Sequence, residues 1–522
     1  MIGGITVKNK RTFDLSFILF SAIVAILGAI IGMQLITTLG ITPNTSIIGA
    51  LIAMLVARIP LQMFYKYKTL ENQNLIQTTI SAATFGAANS LLIPIGLPFV
   101  LGMPDLIIPM LIGAGIALCV DVFILYRVFD SKLFSANEIW APGVATAEAL
   151  KAGDEGGQKA KILGLGIFGG LLGSHFGISM SAFGVAFIGN IVALTMFGIG
   201  LLLRAYSVPL FNVDLDALYV PHGMMIGAGM IALIQFIVIL RKPKNKDDQS
   251  TNSRTDKDVK NGFALGYLFY VLGAIVVAVL AGLYAEMPVY QLILFVLFAA
   301  AAALVSEIIV GIAAMHSGWF PAFAVTLISL LVGMLLGFPP IALAMLTGYT
   351  AATGPAFADL GYDFKTGAIL RSGKSVEEEL FGRRLQLKSA AIGFGVAIAM
   401  VTLFHDSFFQ QDLVPPVNHV YAATIESGLS GNVGLMLLLW AIPGALIQLI
   451  GGSKRQMGIM LATGLLIVNP LAGWAVIAGI IIRLIILRVG GESAESAMFT
   501  TAAGFIAGDA LYSFFTSLWK AR

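Results

Sequence analysis

Charge is what this sequence has least of. Only 11% of its 522 residues are Asp, Glu, Lys or Arg, against 58% hydrophobic. Soluble globular chains carry about a quarter charged residues, so the composition excludes an ordinary water-soluble domain. There is one cysteine, Cys119, so no intrachain disulfide forms, and its presence says nothing about compartment. A formal net charge of +3 gives no footprint for nucleic acid. No G-x-x-x-x-G-K-[ST] loop occurs, so the chain does not hydrolyse nucleotide by itself. No H-E-x-x-H occurs, and His175, His222, His316, His405 and His419 are scattered, so neither a resident metal nor a cofactor is expected. The methionines are dispersed and read as packing.

What is there is a succession of apolar runs, each long enough to cross about 30 Å of hydrocarbon as a helix. Candidate spans lie near 13–38, 45–64, 72–101, 104–126, 161–181, 184–203, 219–240, 262–285, 288–313, 318–338, 340–357, 386–405, 429–450, 457–488 and 495–518. The fold expected is an all-α polytopic membrane protein with roughly 14–16 transmembrane segments. Runs 72–101 and 457–488 are too long for one simple crossing, and Asn469-Pro470 marks a break in the second. The 58 glycines suit helices that approach closely. The opening "MIGGITVKNKRTFD" has basic residues before an apolar run and no small-residue cleavage site, so it reads as a retained helix.

Positive-inside reasoning orients the chain. Lys8, Lys10 and Arg11 place the N-terminus in the cytoplasm, and "TTLGITPNTS" is an uncharged outer loop. Lys66, Lys68, Lys132, Lys151, Lys159 and Lys161 lie inside; the loop from His405 to Ser427 lacks Lys and Arg and lies outside. Segment 241–261 holds seven Lys/Arg against four Asp and reads as a flexible cytoplasmic linker between an N-terminal half, 1–240, and a C-terminal half, 262–522. The map fails between Lys161 and Arg204: either one segment there does not cross fully, or an earlier run hides a turn. Re-entrant and broken helices are the devices by which transporters build midplane sites.

An internal repeat supports two duplicated halves. "TTISAATFGAANSLL" (78–92) aligns with "MFTTAAGFIAGDALY" (498–512), placing Asn89 opposite Asp509, and Arg58 and Arg483 hold similar places in the preceding runs. A weaker echo joins "ALKAG" (149–153) to "DFKTG" (363–367). Asp509 with an arginine reads either as a structural ion pair or as part of a transport path.

The polar residues set inside or beside apolar runs are the site candidates. In "GPAFADLGYDFKTG" Asp359 and Asp363 lie four apart and share a face if that piece is helical. They would then take up protons, attract cations or meet a substrate amine, with Lys365 neutralising one of them or holding a substrate carboxylate. A solvated cytoplasmic loop with a capped helix end is the other reading. In "NEIWAPGVATAEALKAG", Trp140 and Pro142 mark an interfacial entry and Glu148 precedes Lys151 by three, consistent with an anchored amphipathic helix or a second polar site. His175 sits between glycines in an apolar run, either buried and satisfied or handling protons. "SEIIVGIAAMHSGWFPAF" holds Glu307, His316 and Trp319; an acid so deep in an apolar run is costly unless it lines a cavity. Asp121 is a further acid at membrane depth.

The stretch "HSGWFPAFAVTLISLLVGMLLGFPPIALAMLTGYTAATGPAFADLGYDFKTGAILRSG" resembles the signature region of the oligopeptide transporter superfamily, in its yellow-stripe-like and prokaryotic branch. "WAPGVATAEALKAG" and "NQNLIQTTISAATFGAANS" resemble two further stretches of that superfamily, and the likeness covers essentially the whole chain. The resemblance implies duplicated halves with broken helices and secondary symport driven by protons. It implies as substrate a short peptide, or a metal chelate of a peptide-like ligand. The N-P-G and K-I-P-P-R motifs of the eukaryotic peptide-transporting branch are absent, which weakens the case for longer peptides. Asp359, Tyr362, Asp363 and Lys365 are carried over as motif positions, not as ligands. The expectation is therefore a proton-coupled importer in the cytoplasmic membrane, not an enzyme. Its partners are a small-molecule substrate, protons and the lipid bilayer, with homo-oligomerisation left open. A passive channel and an intramembrane hydrolase are the rivals. In this reading Glu307, Asp359 or Asp363 carries the proton, helices broken near 140–150, 315–325 and 350–367 form the site, and "GPAFADLGYDFKTGAILRSG" joins it to the cytoplasmic mouth.

Overall fold

Inside a bilayer every backbone N–H and C=O must find its partner within the chain, so apolar runs of this length become helices. The computed structural model describes residues 13–39, 45–58, 65, 67–241, 252–318, 321–428, 432–467 and 469–520, and is helical almost throughout. Lys8, Lys10, Arg11, Lys66, Trp319, residues 40–44 of the expected outer loop and 242–251 of the expected linker lie outside the described residues. The first helices are α1 (Leu15–Leu39), α2 (Thr45–Ala57) and α3 (Leu70–Phe85), the last running through a π-helical turn, Gly86–Leu92, into α4 (Ile93–Val100). Next come α5 (Ile107–Val128), α6 (Ala141–Glu155), α7 (Gly157–His175), α8 (Met180–Ile188), α9 (Ile191–Phe211) and α10 (Val220–Arg241). After residue 251 come α11 (Asp256–Leu280), α12 (Leu283–Glu286), α13 (Val289–Ser317), α14 (Ala322–Leu335), α15 (Pro340–Ala351) and α16 (Pro355–Leu370). The chain closes with α17 (Val376–Gln410), α18 (Pro416–Ser427), α19 (Val433–Arg455), α20 (Met457–Leu466), α21 (Pro470–Gly490) and α22 (Glu495–Lys520).

Ten helical stretches among the described residues are long and apolar enough to span a membrane, and three shorter apolar helices accompany them. The protein is an all-α polytopic membrane protein. Run 457–488 breaks at Asn469-Pro470 as its sequence requires, with the Asn469 side chain accepting from Ala472 N at 2.9 Å to start α21. Run 72–101 does not turn: it remains one rod over Leu70–Val100, thickened by the π turn. Run 184–203 is instead divided at Gly189, and the nine residues of α8 reach only about 14 Å, too little to cross. The expected linker ends earlier than its composition suggested, because α11 begins at Asp256 under a capping box between Thr255 and Asp258.

Two rods form the centre. The most apolar windows of Leu70–Val100 and of Pro340–Leu370 are each 94% buried, whereas those of Val433–Gly452 and Pro470–Gly490 are 22% and 33% buried. The second rod is discontinuous: Gly354, at φ +96°, interrupts it between α15 and α16, and Pro355 restarts the helix at its first position. Outer helices pair through small residues. On α7 and α22, a Cβ added at Gly504 would lie 2.6 Å from Gly166 Cα, and one at Gly508 2.7 Å from Gly170 Cα, so these backbones touch.

Candidate functional site

The polar residues of the molecule gather around α16, a helix that sequence reasoning also allowed to be a solvated cytoplasmic loop. That alternative is corrected: α16 is helical throughout, and every residue from Pro355 to Gly367 is buried. At its N-terminus the Gly354 N–H donates to both Asp121 carboxylate oxygens, at 3.0 and 2.9 Å, and the Phe357 N–H donates to Oδ2 at 3.0 Å. Helix N-termini present unsatisfied N–H groups and the positive end of the macrodipole, so an acid from α5 is held there. The Tyr270 hydroxyl, from α11, lies 3.2 Å from Asp121 Oδ1 and 2.8 Å from Glu307 Oε2 on α13. Asp121 and Glu307 are both fully buried, and Glu307 Oε1 has no hydrogen-bond partner.

One turn further on, α16 presents two acids to α2 and α3. Asp359 Oδ1 accepts from Ser81 Oγ at 2.8 Å, and Asp363 Oδ1 accepts from Ser46 Oγ at 2.9 Å and from Gln77 Nε2 at 2.5 Å. The two serine hydroxyls are 3.0 Å apart. The shared face expected from the i, i+4 spacing is therefore present, and it points into protein. Among the described residues no ion pair reaches Asp121, Glu307 or Asp363.

Lys365 neutralises neither acid. Its Nζ donates to the carbonyls of Ala136 and Glu138, at 2.6 and 2.8 Å, pinning the irregular segment 129–140 to α16. Trp140 ends that segment in a left-handed conformation (φ 42°, ψ 56°), fully buried rather than interfacial, its N–H donating to Met315 O at 2.9 Å. A non-glycine residue held there is backbone strain of the kind found at functional sites. The Tyr362 ring packs edge-on against Trp140, and its buried hydroxyl has no hydrogen-bond partner. Below this level Arg383, fully buried, donates to Phe129 O and Ser253 Oγ, both at 3.1 Å, and to Glu379 at 3.2 Å, with Asp130 at 3.5 Å. Arg371 bonds Glu379 and Gln386, and Gln386 donates to Asp363 O at 2.6 Å, which ties this ionic cluster to α16.

The other candidates fall in different places. Glu148 pairs with Lys151 at 3.5 Å on α6, with the Thr500 hydroxyl of α22 3.5 Å from the same carboxyl group. His316 is buried, 3.7 Å from the Glu138 carboxylate. His175 is exposed at the end of α7 against Phe176 and Tyr512, so it is neither a buried histidine nor part of the central cluster. Asn89 lies in the π turn, a feature frequent at functional sites. The expected arginine–aspartate pair does not form. Asp509 accepts from Ser174 Oγ at 2.5 Å and Ser181 N at 2.9 Å, while Arg483 donates to the Ala186 and Gly189 carbonyls that end α8. Arg58 donates to Gly153 O near the end of α6 at 3.0 Å. Cations at helix C-termini satisfy orphan carbonyls, and that is the work of both arginines.

Sequence reasoning passed over Tyr270, Ser46, Ser81, Gln77 and Arg383. For Gln77 and Ser81 a signal existed: Asn74, Gln77, Thr78 and Ser81 recur at helical spacing on one face of a buried rod. Tyr270 offered none, being one aromatic among many in α11.

No curated protein matches the chain at a significant level. The family model of the OPT oligopeptide transporter protein matches residues 14–241 and 232–520. With a discontinuous helix at the centre of a membrane-spanning bundle and buried acids at both ends of that helix's first two turns, the chain belongs to the OPT oligopeptide transporter family.

Proposed function

We propose that the chain is a proton-coupled symporter importing short oligopeptides or peptide-like compounds across the cytoplasmic membrane, with its N-terminus inside. It works by alternating access between two related halves on either side of the segment near 241–255. The observation that carries this reading is the group of buried carboxyls around the discontinuous helix α16. Asp121 is fully satisfied by three N–H contacts from the start of α16, so it anchors that helix to α5. Glu307 has one hydroxyl neighbour and a second oxygen without a partner. Glu307 can thus change its hydrogen bonding while Asp121 holds the helix, and it is assigned the coupling proton. A proton gained or lost at Glu307 alters the Tyr270 contact, and through Asp121 the position of the α16 N-terminus. Peptides present both carboxylates and amines, which suits a core holding acids, Lys365 and aromatic rings.

The test uses purified protein in liposomes under an inward proton gradient, with a mixture of di- to pentapeptides and of iron or nickel chelates outside. Concentrative peptide uptake that a proton ionophore abolishes supports the reading; uptake of chelates alone replaces the substrate class. Glu307→Gln is expected to lose gradient-driven uptake while keeping counterflow exchange. Wild-type pH dependence in that variant would overturn the assignment of Glu307.

A further inference from the structure

Asp359 and Asp363, one turn apart on α16, are joined by a chain of oxygens whose protons can be counted. From Asp359 Oδ1 to Ser81 Oγ is 2.8 Å, from there to Ser46 Oγ 3.0 Å, and on to Asp363 Oδ1 2.9 Å. That makes three oxygen–oxygen contacts, and each serine contributes one hydroxyl proton. If both carboxyls were ionised, each serine would donate to its acid and the Ser46–Ser81 contact would hold no proton. One further proton completes the chain.

We propose that Asp359, Ser81, Ser46 and Asp363 form a binding site for a single exchangeable proton, with the two serines as its relay. The chain has a direction. Asn74 Nδ2 donates to Gln77 Oε1 at 3.0 Å, which turns the Gln77 amide so that Nε2 donates to Asp363 Oδ1. Asp363 Oδ1 therefore accepts from both sides; with the added proton on Asp359, Ser81 turns from donating to Asp359 to donating to Ser46, which donates to Asp363. Reversal moves it by successive transfers. The Asp363 oxygen takes the Ser46 proton, Ser46 takes that of Ser81, and Ser81 takes that of Asp359. No net charge is created beyond the exchange of one ionised acid for the other. The displacement along α16 is four residues, about 6 Å. The second oxygen of Asp363 is buried and has no hydrogen-bond partner among the described residues.

The charged and titratable groups on the surrounding elements are directed elsewhere. Lys365 is on the carbonyls of segment 129–140, Arg371 on Glu379 and Gln386, and Glu148 of α6 on Lys151. Asp121 and Glu307 meet Tyr270, His316 faces Glu138, and Tyr362 packs on Trp140. Among the described residues, the contacts of α2 and α3 with the two acids come from the Ser46 and Ser81 hydroxyls and the Gln77 amide.

The inference extends the proton-coupled reading, but its test needs no transport. Infrared spectra of detergent-purified protein carrying 13C-labelled aspartate separate aspartic acid carbonyl bands from those of Glu307. Wild type is expected to show a protonated aspartate band that is lost in Asp359→Asn. The band should shift in Ser81→Ala and in Ser46→Ala, return with Ser81→Thr, and stay unchanged in Glu307→Gln. The serine variants remove a single oxygen, so they report even if Asp359→Asn does not fold. A wild-type spectrum without a protonated aspartate, or a band indifferent to both serines, overturns the proposal. So does a band that vanishes on adding sodium, which would make the four oxygens a cation site instead. Failure of gradient-driven uptake with the infrared pattern intact would overturn only the symport reading.

Discussion

Replacing Tyr270 by Phe removes one oxygen from the middle of the Asp121–Glu307 contact and little else. The ring stays edge-on to Tyr349, with centroids 6.3 Å apart, and the backbone carbonyl of residue 270 still accepts from the Tyr349 hydroxyl at 2.9 Å. Asp121 keeps its backbone donors, so the loss falls on Glu307, whose 2.8 Å contact to the hydroxyl is its recorded hydrogen bond. Leaving a buried polar group unsatisfied costs about 1–3 kcal/mol. If the arrangement with Tyr270 bridging the two acids is one state of the transport cycle, that cost weights the cycle against it by about 5–150-fold. The assay is gradient-driven uptake in liposomes beside counterflow at equal pH on both sides. Driven uptake is expected to fall within that range, with counterflow reduced far less, because counterflow does not require the proton to be gained and lost. Equal losses in both assays, or loss in neither, would refute the idea that the tyrosine links proton occupancy to α16.

The remaining expectations concern what holds the site in place. Gly508→Leu forces apart α7 and α22, whose backbones meet at Gly170, and overpacking costs about 1–3 kcal/mol or more; the thermal unfolding midpoint in detergent should drop. Gly395→Ala, where an added Cβ meets nothing within 4 Å, should leave that midpoint unchanged or raise it. Arg383→Met takes the buried cation from Asp130 while Glu379 keeps Arg371, and breaking such a buried pair costs about 3–5 kcal/mol, read by the same midpoint.

Apolar length made most of the helices legible, because in lipid the backbone has few other options. Breaks were legible where a proline or glycine imposed them, as at Asn469-Pro470 and in the sequence around Gly354-Pro355. The division at Gly189 left no local signature in the sequence. The acids were also legible, since an isolated carboxyl in an apolar run announces itself. Their partners were not. Lys365 is close in sequence to Asp359 and Asp363, yet on a helix it turns to another side, toward carbonyls of residues more than two hundred positions away. Asp509 and Arg483 looked like a pair because both are charged, whereas helix ends and serine hydroxyls satisfy them separately. Composition marks which groups need a partner, and only tertiary packing says which partner meets them.

The aligned stretches sharpen this. α3 packs on α17 and α22 on α7, while α16 touches α3 and α6 touches α22. Chemistry does not follow the same symmetry. By the alignment of 149–153 with 363–367, Asp363 stands opposite Ala149, and Asp359 opposite Ala145. On the α3 side the acids meet Ser46, Gln77 and Ser81; on the α22 side Glu148 of α6 is already beside Lys151. The carboxyls thus gather on the α3 side. In the proposed symport cycle this unequal chemistry is what lets one proton favour one of two arrangements of the centre.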